Sequence, residues 1–215
     1  MIKTVIFDFD GTIADTHRAI LATMHSTFRQ LGLPDVADDR MQKVIGLPLG
    51  QMFIEAAGIT DAGLVNRCVT TYRACFNDNC EGTVELYPDV LPVLEAMKAA
   101  GMTLSIATSR GRDSLAMLLV RLGISHLMSM SVTVEDVEHA KPSPDMVLKI
   151  LAEQHADPAL TLVVGDTTFD IGMGSAAGCL TCGVTHGNHS REMLLTASPD
   201  YIVDGFGELA RLLKV

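Results

Sequence analysis

Positive charge is scarce in this chain. Sixteen lysines and arginines stand against 26 aspartates and glutamates, for a formal net charge of -10 over 215 residues. That balance excludes the basic footprint of a nucleic-acid binder and argues against a simple binder of anionic membranes. Long hydrophobic runs are missing too: no apolar stretch approaches the ~20 residues of a membrane span. Met1-Ile2-Lys3-Thr4 runs straight into a strand pattern, without the charged and apolar regions of a secretory signal. A cytoplasmic location is therefore expected. Cysteine is sparse and odd in number, at five, which suits reduced thiols better than a disulfide framework. Internal repeats and low-complexity segments are lacking. Hydrophobic residues make up 48% of the chain, enough for a sizeable core. The acidity does not exclude an anionic substrate, because a bound metal inverts the local field of a small site.

Thr4-Val5-Ile6-Phe7-Asp8 is a continuous apolar run, as expected of a strand covered on both faces. From Thr16 the period changes. Ala19, Ile20, Thr23, Met24, Thr27, Phe28 and Leu31 share one helical face, and Gly32 and Pro34 end it. Further helical patterns cover Gln51–Ala57 and run from Leu64 to Phe76, with no convincing strand between Thr16 and Asn79. After Glu81-Gly82 helices alternate with strands. Strands are expected at Leu104–Thr108, Met128–Val134, Leu162–Val164, Cys179–Val184 and Tyr201–Val203; helices at Val90–Ala100, Asp113–Leu122, Asp145–Gln154, Phe169–Ala177 and Glu208–Leu213. The expected fold is α/β, a doubly wound parallel sheet with an all-helical insert after its first strand. The expected division is an α/β core of residues 1–15 and 82–215 and a helical cap of residues 16–81.

Ligands of open parallel sheets bind beyond the carboxyl ends of the strands. At those ends lie Asp8-Phe9-Asp10-Gly11-Thr12, Thr108-Ser109 and Gly165-Asp166-Thr167-Thr168-Phe169-Asp170, with Lys141-Pro142 opening another helix. Four carboxylates gathered at one spot repel one another, by roughly 4 kcal/mol per pair at ~4 Å and an effective dielectric of about 20. A divalent cation removes that cost, and an all-oxygen site favours Mg²⁺ over zinc. The parts suggest phosphoryl transfer. Asp8 attacks phosphorus. Lys141 offsets phosphate charge, and Thr108 and Ser109 supply hydroxyl and backbone donors. Asp10, two residues on and on the same side if strand geometry persists, protonates the leaving alcohol and later activates water.

These four motifs, in this order and spanning nearly the whole chain, resemble those of the haloacid dehalogenase superfamily. The resemblance implies that Asp8, the backbone carbonyl of Asp10, and Asp166 hold Mg²⁺, with Asp170 a secondary or alternate ligand. A helical insert at this position resembles the subgroup of phosphoglycolate phosphatase and β-phosphoglucomutase, and Gly183-Val184-Thr185-His186-Gly187 is similar to the phosphoglycolate phosphatase branch. Arg110 departs from that branch, where an amide or lysine often lies near the motif-two hydroxyl. Family members that are dehalogenases or phosphonatases lack an acid at the position of Asp10. Phosphonatases also carry a Schiff-base lysine in the cap, where this chain has only Lys43. Mutases of the family carry a histidine in the neighbourhood of Ile20 and Leu21.

The expected function is Mg²⁺-dependent hydrolysis of a small phosphorylated metabolite, with phosphoglycolate the first candidate. Pyrophosphate hydrolysis, a phosphomutase and a receiver-like phospho-switch are the alternatives. Individually, several of these residues have plainer readings. Lys141 reads as a solvated lysine before a Ser143 N-cap and a Pro144 at the first helical position. Asp166 and Asp170 suit a helix start. His17 reads as substrate-facing or as an exposed first-turn residue, and Asp15 as a helix cap or a residue touching the site, the cap preferred. Arg110 and Arg112 read equally as anion ligands or surface ion pairs. Gly46-Leu47-Pro48 reads equally as an interhelical turn or a loop reaching the active site. Met117, Met128 and Met130 read as core. Cys179 and Cys182, followed by His186 and His189, imitate a zinc string, but cysteines three apart on a strand face opposite ways.

Overall fold

Thr4–Phe7, strand β1, is buried at all four residues and sits in the middle of a parallel sheet in a computed structural model of the chain. The structure describes residues 1–80 and 82–215, Cys80 by its backbone alone. The boundary expected at residue 81 lies outside the described residues. Two-residue strands β2 (Ala14–Asp15) and β3 (Glu85–Leu86) pair antiparallel. Between them run helices α1 (His17–Gln30), α2 (Asp38–Gln42), α3 (Leu49–Ala57) and α4 (Ala62–Cys80). The remaining chain alternates: α5 (Val90–Ala99), β4 (Thr103–Thr108), α6 (Arg112–Arg121), β5 (Met130–Thr133), α7 (Asp145–Gln154), β6 (Thr161–Gly165), α8 (Thr168–Ala176), β7 (Leu180–Val184), α9 (Arg191–Thr196), β8 (Tyr201–Val203) and α10 (Phe206–Leu213). Among the described residues, no helix is long and apolar enough to cross a membrane.

The sheet order is β5-β4-β1-β6-β7-β8, all parallel, with Thr4 level with Thr103 on one side and Thr161 on the other. Strand pleating divides the core. Val5 and Phe7 join the α5 and α10 side with Leu94, Met97, Phe206 and Leu209; Ile6 joins the α7 and α8 side with Met146, Ile150 and Met173. Both faces are covered, which is why the strands read as unbroken apolar runs. Chain order reverses about β1, since β4 and β5 lie to one side and β6, β7 and β8 to the other. That reversal makes the carboxyl end of β1 the expected ligand crevice.

The insert has its own aromatic seam. Phe28 meets Phe53 edge-on at 5.6 Å, Phe53 meets Tyr72 at 6.1 Å, and Tyr72 stacks on Phe76 at 5.9 Å. These contacts join α1, α3 and α4 into one body.

Three expectations need correction. The β2–β3 pair has no counterpart in the sequence reading, because two residues carry no period. Helix α7 covers the expected Asp145–Gln154, but its cap is Pro144 and not Ser143. The hydroxyl of Ser143 donates instead to Asp145 at 2.6 Å. Strand β1 ends at Phe7, so the strand pleat does not carry as far as Asp10. A turn does that work: Gly11 N–H bonds to the Ala14 carbonyl and Ile13 N–H to that of Phe9.

Candidate active site

Asp8 follows β1 directly, its N–H bonded to the Val164 carbonyl of β6 at 2.9 Å. Asp166 follows β6, and Asp170 lies in the first turn of α8. Each of these three buried acids places a carboxylate oxygen within 4.8 Å of the others. Lys141 reaches into the cluster from the loop before α7. Its Nζ donates to Asp8 Oδ1 at 2.5 Å and to Asp170 Oδ1 at 2.6 Å, and the residue is only 3% exposed. The solvated-lysine reading is overturned.

Asp170 has a second task. Its Oδ2 accepts from the N–H and hydroxyl of Thr167, while the Thr167 hydroxyl caps the helix, a reciprocal box that starts α8. A Cβ on Gly165 would collide with the Asp170 side chain, so glycine is needed where β6 gives way to the acid. Asp166 is held on both oxygens. Thr12 Oγ1 donates to Oδ1 at 2.8 Å, and Asn188 donates to Oδ2 from its backbone at 2.7 Å and its amide at 2.8 Å. Gly11 has φ +87°, and a Cβ there would strike Asn188 and Asp166. Asn188 also approaches the Asp10 carbonyl at 3.5 Å and takes His17 Nδ1 at 3.3 Å. Asn188 lies one residue beyond the Gly183–Gly187 motif.

Burial pushes the Asp8 carboxyl well above its ordinary value. Lys141 opposes the shift, and Asp170, Asp166 and Asp10 add to it. Asp166 is pushed up to about 7 by burial and then by Asp170, against the bonds from Asn188 and Thr12. Burial lowers the Lys141 ammonium, but Asp170 and Asp8 more than offset this, so it stays charged. One lysine thus balances only part of three buried acids. A divalent cation fits the remainder, and the all-oxygen donor set suits Mg²⁺.

The expected gathering of four carboxylates is corrected to three, because the side chain of Asp10 belongs to Arg110. Its Oδ1 accepts from Arg110 Nη2 at 2.6 Å and from the Thr16 hydroxyl at 2.7 Å. Asp8 and Asp10 nevertheless line one cavity of about 470 Å³ between the sheet and the insert. Ile45, Gly46, Leu47 and Pro48 line it too, so that loop reaches the site. Ser109 Oγ donates to the Gly46 carbonyl at 2.6 Å, and the Thr108 hydroxyl accepts from the Arg110 N–H at 3.2 Å.

Met117, expected in the core, also lines the cavity. Ile20 does so where a mutase-like histidine would lie nearby. Lys43 is 65% exposed and pairs with Asp39 at 3.8 Å. Arg112 forms a surface pair with Asp136 at 2.6 Å. His17 is half-buried rather than exposed, and Asp15 accepts its N–H at 3.3 Å. The zinc-like string does not converge. His186 bonds the Thr12 carbonyl at 3.0 Å, and His189 accepts from the Thr168 N–H at 3.1 Å. Burial pushes the thiols of Cys179 and Cys182 up to about 11 and about 12.

The family model for haloacid dehalogenase-like hydrolase matches residues 5–184. The chain is 35% identical to a protein described as "Probable phosphatase IndB" from Dickeya dadantii, over 95% of this chain and 90% of that one. It is 32% identical to pyrophosphatase PpaX of Anoxybacillus flavithermus, over 100% of this chain and 98% of that one. A predicted phosphoglycolate phosphatase from Haemophilus somnus superposes with a TM-score of 0.90 at 24% identity, covering 99% and 98% of the two chains, a likeness of fold. The chain therefore belongs to the haloacid dehalogenase-like hydrolases.

Proposed function

We propose that this protein is a Mg²⁺-dependent phosphatase that hydrolyses a small phosphomonoester through an aspartyl-phosphate at Asp8. The observation that carries the reading is the Asp8–Lys141–Asp170 chain of bonds beside Asp166, with Asp8 open to the cavity. The phosphatase and pyrophosphatase names of its relatives support phosphoryl chemistry.

Asp8 forms a bond to phosphorus while the bond to the leaving oxygen breaks. Lys141 holds the Asp8 carboxylate in place and meets charge on the phosphoryl oxygens. Thr108 and Ser109, at the end of β4, supply hydroxyl and backbone donors to the phosphoryl group. Asp10 gives its proton to the leaving alcohol, then takes one from the water that cleaves the intermediate. Asp8, Asp166 and the Asp10 carbonyl would hold Mg²⁺, with Asp170 beside them, and the ion supplies positive charge against the phosphoryl oxygens. Residues 16–81 act as a cap over a core of 1–15 and 82–215, and closing it excludes bulk water.

Phosphoglycolate and pyrophosphate are the first substrates to try. The second is favoured by the PpaX relatives. Ile20 in the cavity wall counts against a mutase. The test is phosphate release from a panel of metabolite phosphates with Mg²⁺ and with chelator. Mg²⁺-dependent release from at least one ester or from pyrophosphate supports phosphoryl hydrolysis; none, from folded protein that binds Mg²⁺, defeats it.

A further inference from the structure

Arg110 is buried on the acid it would have to share with a substrate. Its Nε donates to both oxygens of Asp10, at 3.2 and 3.0 Å, and its Nη2 to Oδ1 at 2.6 Å. Nη1 is tied to Ser114 Oγ at 2.6 Å, and the guanidinium lies over the Phe76 ring at 4.4 Å. The two side chains are 7% and 12% exposed. With Thr16 also on Oδ1, both carboxylate oxygens are turned to donors of the chain itself. A carboxyl group engaged in this way is not presented to a leaving oxygen.

Arg110 also lines the cavity, beside Phe76, Ser114 and Met117, while Lys141 meets Asp8 from the Asp170 side. The guanidinium thus lies in the cavity together with Asp10, the acid assigned to the leaving oxygen. Much of the cavity lining is apolar, Ile20, Leu47, Met52 and Val69 among it. Another cavity cation, Arg73, is drawn to Glu135 at 3.1 Å. An oxyanion entering this space finds one buried planar fork, and that fork already holds a carboxylate it can exchange.

We propose that Arg110 is a latch on Asp10 that an oxyanion of the leaving group releases: the incoming anion takes over the guanidinium fork, and the freed Asp10 carboxylate takes a proton from solvent and turns to the leaving oxygen. The inference rests on the phosphatase reading and narrows its substrates to phosphate esters and anhydrides whose leaving group is itself anionic. A neutral alcohol offers nothing to exchange, so Asp10 stays held. Arg110 is then a positioning residue for Asp10 and a specificity residue for the substrate. The oxyanion can be a carboxylate or a second phosphate.

The test uses the full chain with Mg²⁺ and three substrates: 2-phosphoglycolate, pyrophosphate, and ethyl phosphate, in which a methyl group replaces the carboxylate of phosphoglycolate. For the wild-type protein, kcat/KM for at least one anionic substrate should exceed that for ethyl phosphate by roughly 100-fold, the scale of a charge-assisted pair left unmade. In Arg110→Ala that ratio should collapse toward one, and millimolar guanidinium should restore part of it. Arg110→Lys, which keeps the charge without the fork, should fall between, with melting temperatures reporting on folding. Equal kcat/KM for ethyl phosphate and both anions in the wild type overturns the inference, as does an equal loss on all three substrates in Arg110→Ala. Turnover in the wider panel confined to esters of neutral alcohols overturns it while leaving the phosphatase reading intact. Release of phosphate neither from any ester nor from pyrophosphate overturns both.

Discussion

The side-chain amide of Asn188 donates to Oδ2 of Asp166 at 2.8 Å, and its backbone N–H to the same oxygen at 2.7 Å. Asp166 is the acid that ends β6, and 22 residues separate the pair. The bonds fix the rotation of a carboxylate expected to bind metal, and such outer partners typically contribute 10–100-fold to metal affinity, as an order-of-magnitude guide. Asn188→Ala removes the amide and leaves the backbone donor. The Mg²⁺ concentration for half-maximal phosphate release should rise by roughly tenfold, and the Mg²⁺-induced rise in melting temperature should shrink. An unchanged or lower half-maximal concentration would remove Asn188 from this role.

Most of the candidate site was legible in the sequence because its residues stand at strand ends. Asp8, Thr108 and Asp166 each follow an apolar run, and a parallel sheet brings such ends together whatever their separation in the chain. Asn188 carried no such mark. It sits in a loop whose clue is Gly187, where a Cβ would strike Asp166, a constraint visible only once the fold is known. The partner of Arg110 was equally hidden, 100 residues away across the cavity. The Cys179 to His189 string failed in the opposite sense, since its spacing suggested a site that strand geometry disperses.

Lys141 is the cation inside the three-acid cluster, and removing it leaves Asp8 and Asp170 buried without their partner. Breaking a buried pair in this way costs on the order of 3–5 kcal/mol. Lys141→Met should lower unfolding free energy by about that much in chelator, less so with Mg²⁺, and should abolish turnover. Urea unfolding with and without Mg²⁺ measures the difference; equal losses in the two conditions would show that the lysine and the metal do not share the charge.

The raised carboxyl of Asp166 sets a pH dependence. Between the ordinary value of 3.8 and about 7, the folded state holds more protons than the unfolded chain. Stability of the metal-free protein should therefore fall as pH rises through that window, with the contribution intact below it. Mg²⁺ binds the ionised form and displaces the proton. The stabilisation by Mg²⁺ should accordingly grow as pH rises through that window. Melting curves at a fixed Mg²⁺ concentration and in chelator, across that range, check the sign. A Mg²⁺ effect that shrinks with rising pH would count against metal binding at Asp166.

The covalent step at Asp8 is tested most directly by trapping it. Protein turning over a phosphomonoester with Mg²⁺ is quenched in acid, reduced with borohydride and mapped by peptide mass. Reduction of an aspartyl-phosphate should leave homoserine at position 8, and Asp8→Asn should give neither the modification nor phosphate release. Steady phosphate release with an unmodified Asp8 peptide, and undiminished turnover by Asp8→Asn, would contradict the account.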